Sequence, residues 1–105
     1  MIDLDKIEGF DWDAGNARKS EKHGVTQAEA EQVFLNEPLF ITPDEEHSES
    51  ERRYRALGEA ASGRRLTVIF TLRKAGTLVR VISARNMNAK ERKLYEQEIK
   101  SNPEV

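Results

Sequence analysis

The chain has 105 residues, no cysteine and a formal charge of −2, from seventeen Lys and Arg against nineteen Asp and Glu. That length predicts one domain, 1–105, with its core over about residues 10–100. The missing cysteines exclude disulfides, thiolate nucleophiles and cysteine-bound zinc, and no apolar run is long enough for a signal peptide or membrane span, so a cytoplasmic protein without a membrane partner is expected.

Residues 1–9 are acidic and poor in apolar side chains, which suits a loose entry or a short edge segment. Phe10 and Trp12 alternate with Asp11 and Asp13, as in a very short strand or an aromatic anchor. Asp13 reads as an N-cap, opening a polar helix over residues 14–23 that Gly24 ends. Thr26 and Glu29 have capping-box spacing for a second helix over residues 27–36, with Ala30, Val33 and Phe34 at i, i+3 and i+4 on its buried face.

The remainder is mostly strand. Residues 39–42 form a first short strand, and residues 44–51 a polar, acidic loop. Arg53, Arg55 and Leu57 alternate with Tyr54, Ala56 and Gly58 in a second strand. Leu66, Val68, Phe70 and Leu72 share one face of a third, over residues 66–73, and residues 77–84 form the fourth. Ser62-Gly63 and Ala75-Gly76 supply the turns of an antiparallel meander. Asn88 and Glu91 cap a last helix to about residue 100. The order predicts an α+β fold: a four-stranded antiparallel sheet with two N-terminal helices and one C-terminal helix.

Charge is spread unevenly over this plan. Residues 1–51 hold four of the basic residues and fourteen of the acidic ones; residues 52–105 hold the other thirteen and five. A basic surface for an anion competes with simple interleaving of opposite charges on folding. Arg53, Arg55, Arg73, Arg80 and Arg85 can line one sheet surface. Arg80 lies among Val79, Val81 and Ile82, where a guanidinium must pair or face a groove. Such groups suit phosphate and the charge that builds in phosphoryl transfer, and equally suit structural ion pairs. His23 ends the first helix, where the dipole favours its protonated form and Gly24 a plain C-cap. His47 sits in the acidic loop with Ser48, as a proton-transfer group or a solvated bystander; a lone histidine among unspaced carboxylates is a weak metal signal. Glu51 and Arg53, two apart, share a strand face and can pair. There is no phosphate-binding Gly-rich loop, serine elbow or HExxH pattern.

Several of these pieces, in order, resemble the BrnT family of bacterial toxins from type II toxin–antitoxin pairs: Phe10-Asp11-Trp12-Asp13, Gly15-Asn16, Lys19, Lys22-His23-Gly24-Val25-Thr26, Asp44, His47-Ser48, Glu51-Arg52-Arg53 leading to Leu57-Gly58, Val81-Ile82-Ser83-Ala84-Arg85 and Glu91-Arg92. Gly15-Asn16 stands where many members carry a lysine. The resemblance covers roughly residues 10–96. It implies a RelE-like fold and a metal-independent endoribonuclease that cuts RNA and slows translation. It also implies a ribbon-helix-helix antitoxin, BrnA-like, through whose complex alone DNA is bound.

Cleavage by attack of a ribose 2′-hydroxyl on the adjacent phosphorus, through a 2′,3′-cyclic phosphate, needs a base, an acid and positive charge at the phosphate. The expected catalytic residues are Arg80 and Arg85 at the phosphate with Arg53 assisting, His23 and His47 for proton transfer, and Glu51 as base or orienting group, with no cofactor and no metal. Two competing expectations remain: a non-catalytic module whose basic sheet binds an antitoxin or nucleic acid, and a family member that has kept its fold but lost activity.

Overall fold

The computed structural model describes residues 2–44 and 50–101. After a turn of 3-10 helix at Leu4–Lys6 the elements are β1 (Gly9–Phe10), α1 (Ala14–Glu21), α2 (Gln27–Leu35), β2 (Phe40–Pro43), β3 (Tyr54–Glu59), β4 (Arg65–Arg73), β5 (Leu78–Asn86) and α3 (Ala89–Ser101). The fold is α+β, with three α-helices on a mixed sheet ordered β1-β5-β4-β3-β2.

The sheet has five strands where the sequence predicts four, and it is not wholly antiparallel. β2 to β5 form the expected meander; β1 adds a parallel edge, Gly9 opposite Leu78 and Phe10 opposite Val79. The Glu8 and Asp11 amides extend that pairing by donating to the carbonyls of Thr77 and Val79 at 2.7 and 2.8 Å. A two-residue strand is too short to show a period, so its partner defines it. The first helix also stops at Glu21, with residues 22–24 forming the turn that precedes α2.

One sheet face carries the main core. Ala56, Leu66, Val68, Phe70, Val79, Val81 and Ala84 lie there under Ala30 and Val33 of α2. Gly58 lets the helix approach: a Cβ there would stand 2.9 Å from Val33 Cγ1 and 3.3 Å from the Val33 carbonyl oxygen. Rings run through this layer edge to face from Phe10 to Phe34 to Phe70, and Tyr54 stacks on Phe70, with centroids 5.0–5.6 Å apart. Phe10 is thus both strand and anchor, while the Trp12 indole donates to Glu31 at 2.8 Å.

The opposite face is only half covered. α3 packs Tyr95 and Ile99 over Leu57, Phe40 and Met87. The rest of that face is left to the arginines, and a bulge decides which ones. Ile69 faces Ser83, but Phe70 faces Val81, so Ile82 is an extra residue in β5. Because of it Arg80, Ser83 and Arg85 share one side of the strand, opposite Thr71, Ile69 and Thr67, although strict alternation would split Arg80 from Arg85. Among the described residues no helix is long and apolar enough to cross a membrane.

Candidate active site

A cleft of about 280 Å³ opens at the uncovered end of this face, lined by Gly15, Asn16, Lys19, Glu51, Arg53, Arg80 and Ile82. Three segments far apart in sequence build it: the first turns of α1, the entry to β3, and the bulge of β5. Arg80 faces Thr71 across the β5–β4 ladder, and the Thr71 hydroxyl donates to the Arg52 carbonyl at 2.7 Å. Arg53, one residue before Tyr54, continues the same row.

The wall from α1 is fixed by its N-cap. One Asp13 carboxylate oxygen accepts from the amides of Gly15 and Asn16 at 2.9 and 3.1 Å, and Asn16 Oδ1 accepts from the Asp13 amide at 2.7 Å. Asn16 is buried, and its Nδ2 donates to the carbonyls of Asp11 and Val81 at 2.9 and 2.8 Å. It therefore satisfies the edge of β5 just beyond the point where β1 ends, and pins α1 there. The cap gives Gly15, Asn16 and Lys19, at i, i+1 and i+4, one side of the helix facing the cleft.

Arg80 is held from behind. Its Nη2 donates to the second Asp13 oxygen at 2.9 Å and its Nη1 lies 3.5 Å from Asp11, while the side chain stays 22% exposed. The Asn16 amide and then Arg80 hold the Asp13 carboxyl below its usual range, and Asp13 in turn raises Arg80, so the pair stays ionised. Glu51, half-buried, pairs with Arg73 rather than with Arg53. Arg53 has a further interaction of its own. Among the described residues, two arginines and a lysine thus meet one carboxylate in the cleft, with two more carboxylates behind Arg80.

The other expected site residues fall elsewhere. His23 is exposed in the turn after α1, roughly 15 Å along the helix from Asp13. That turn is tied to the far end of the sheet, because Arg64 donates to the Gly24 carbonyl and the Asn86 side chain at 2.8 Å each and also reaches Glu29. Gly24 takes φ +71°, the left-handed conformation the turn requires.

Arg85 shares the face of Arg80 but stands about 15 Å along β5, under α3. Its terminal nitrogens donate to both oxygens of Glu91 at 2.6 and 2.9 Å. Glu91 also caps α3 with Asn88 and accepts from the Thr67 hydroxyl at 2.8 Å. Burial alone would raise the Glu91 carboxyl; Arg85, the Asn88 amide and Thr67 outweigh it and hold the group at about 2.

His47 lies outside the described residues. The Asp44 amide donates to the Arg53 carbonyl at 2.9 Å.

Lys19, Asn16, Asp11 and Asp13 belong to the residues that carry the family resemblance but were not among the expected catalytic residues. The one-turn spacing of Lys19 after Gly15 is a signal that could have grouped Lys19 with Asn16.

Basic side chains gathered on an open sheet face, backed by carboxylates that fix their geometry, give this α+β fold a surface that suits a polyanion. A family model described as "Ribonuclease toxin, BrnT, of type II toxin-antitoxin system" matches residues 12–91. The chain belongs to this family of ribonuclease toxins, and with it come an RNA substrate and an antitoxin partner. No curated protein matches the chain.

Proposed function

We propose that the cleft cuts RNA without a metal ion, and that this cleavage inhibits translation. In this reading the 2′-hydroxyl oxygen bonds to the adjacent phosphorus while the bond from phosphorus to the 5′-oxygen breaks, leaving a 2′,3′-cyclic phosphate and a 5′-hydroxyl. Arg80 and Arg53, with Lys19, hold the non-bridging oxygens and neutralise the charge that builds on them. Glu51, kept in place by Arg73, takes the 2′-hydroxyl proton, and His47 is assigned to protonate the leaving oxygen. His23 has no role at the phosphate, and Arg85 serves to anchor α3. The antitoxin is a ribbon-helix-helix, BrnA-like protein, and DNA binding belongs to the complex.

The single observation behind this reading is the meeting of Arg80, Arg53, Lys19 and Glu51 in one open cleft. Its test is incubation of a defined RNA in EDTA with wild type and with Arg80→Ala, their folding compared by thermal unfolding. Wild type should leave cyclic-phosphate ends, and the variant should be slower by about 100-fold to 1,000-fold. A folded Arg80→Ala that cuts at the wild-type rate overturns the assignment.

The pairing of Arg80 with both Asp13 and Asp11 favours a second reading, in which the face only binds a polyanion. That reading expects RNA binding with no cleavage at any pH.

A further inference from the structure

Arg55 stands on the open half of the sheet beside the cleft. Alternation puts it on the same side of β3 as Arg53, roughly 7 Å away. In register it lies between Thr42 of β2 and Ile69 of β4, and Ser83 of β5 follows Ile69. The row Arg55–Ile69–Ser83 thus runs next to the row of Arg53, Thr71 and Arg80.

The other arginines of this face are engaged. Arg65 pairs with Glu96, Arg73 with Glu51, Arg80 with Asp13 and Asp11, and Arg85 with Glu91, and Arg53 also has a partner. Among the described residues no acceptor meets Arg55, and its Nε, like that of Arg53, is shut off from solvent with no hydrogen bond. A partly buried guanidinium without an acceptor carries an uncompensated desolvation cost, which a bound anion removes. The carboxylates that fix the neighbouring arginines leave this one unmatched.

We infer that Arg55 is a second phosphate subsite, taking the phosphodiester next to the one that is cut in a single-stranded RNA. The ligand rests on the ribonuclease reading; the unmatched charge does not. A planar fork two strand positions from Arg53 suits the next phosphate along an extended strand, since guanidinium groups pair with two oxygens at once. The subsite therefore selects for length and single-strandedness, and it carries no base specificity.

The test is the salt dependence of binding to a short 2′-O-methyl oligoribonucleotide, which cannot undergo 2′-hydroxyl attack. Wild type is compared with Arg55→Gln and Arg55→Lys, all checked for folding by thermal unfolding. Arg55→Gln should weaken binding about tenfold and lower the slope of log K against log salt by about 0.7, one phosphate contact on a single strand. Arg55→Lys should keep the slope and lose part of the affinity. With cleavable RNA, the ratio of kcat/KM on an oligonucleotide to that on a dinucleotide should fall about tenfold in Arg55→Gln. Unchanged slope and affinity, or equal losses on both substrates, overturns the subsite, as does a wild type that does not bind the oligonucleotide. Binding with an Arg55-dependent slope but without cleavage overturns the ribonuclease reading alone.

Discussion

Arg85 and Arg80 lie on the same face of the same strand, and each meets carboxylates, yet their surroundings differ in kind. Arg85 sits where α3 packs on the sheet, and it spends two nitrogens on Glu91, whose side chain is 6% exposed and also caps the helix. Arg80 sits where no α3 residue lines the surface, and its partners Asp13 and Asp11 are far more exposed, at 56% and 36%. The first arrangement closes on itself. The second fixes a guanidinium and leaves its remaining donors facing a cleft. A cluster of arginines in a sequence is therefore no guide to function until the element that covers each one is known.

The covered end should respond to mutation as a structural joint. Glu91→Ala removes a buried carboxylate that holds the half-buried Arg85 guanidinium, together with the α3 cap, and should lower stability by about 2–4 kcal/mol in denaturant unfolding. A loss below about 1 kcal/mol would show that the two ends are alike. Acid tests the same joint without mutation. The Glu91 carboxyl is held at about 2, below its ordinary 4.5. Its contribution is therefore complete above 4.5 and is lost as pH falls through 2, and it is worth about 3 kcal/mol. Unfolding measured across this window should steepen in wild type and flatten in Glu91→Gln; parallel curves would remove Glu91 from the account.

Asn16→Ala offers a smaller and sharper comparison, because Asn16 is a structural residue of the open end. It leaves the Val81 and Asp11 carbonyls without that donor and loosens the wall that carries Lys19. Stability should fall by about 2 kcal/mol, and cleavage should fall with it even in the folded fraction. Loss of stability with full activity would mean that the position of α1 does not matter to the cleft.

Much of this was legible where the cause is local. Asp13, the Thr26–Glu29 pair and the Asn88–Glu91 pair all cap helices as their spacing predicts, since a cap acts within four residues. Alternation revealed the meander from β3 to β5. β1 and the Ile82 bulge were not legible, because both are defined by a partner strand: Gly9 needs Leu78, and the bulge exists only in the register between β4 and β5. The site divided along the same line. Arg80 and Arg53 stood out as charges in or beside strands, whereas Lys19 reaches them only because Asn16 pins α1 to the β5 edge. The pairing of Glu51 with Arg73 instead of Arg53 likewise depends on β4 lying alongside.

The most direct test of the contrast is the RNA cleavage rate per folded molecule in EDTA, with Arg80→Ala and Glu91→Ala measured side by side. Opposite outcomes are expected: Arg80→Ala folds nearly as well as wild type and loses at least about 100-fold in rate, while Glu91→Ala loses stability and keeps its rate per folded molecule. Equal loss of rate in both, or a fully active folded Arg80→Ala, would contradict this contrast.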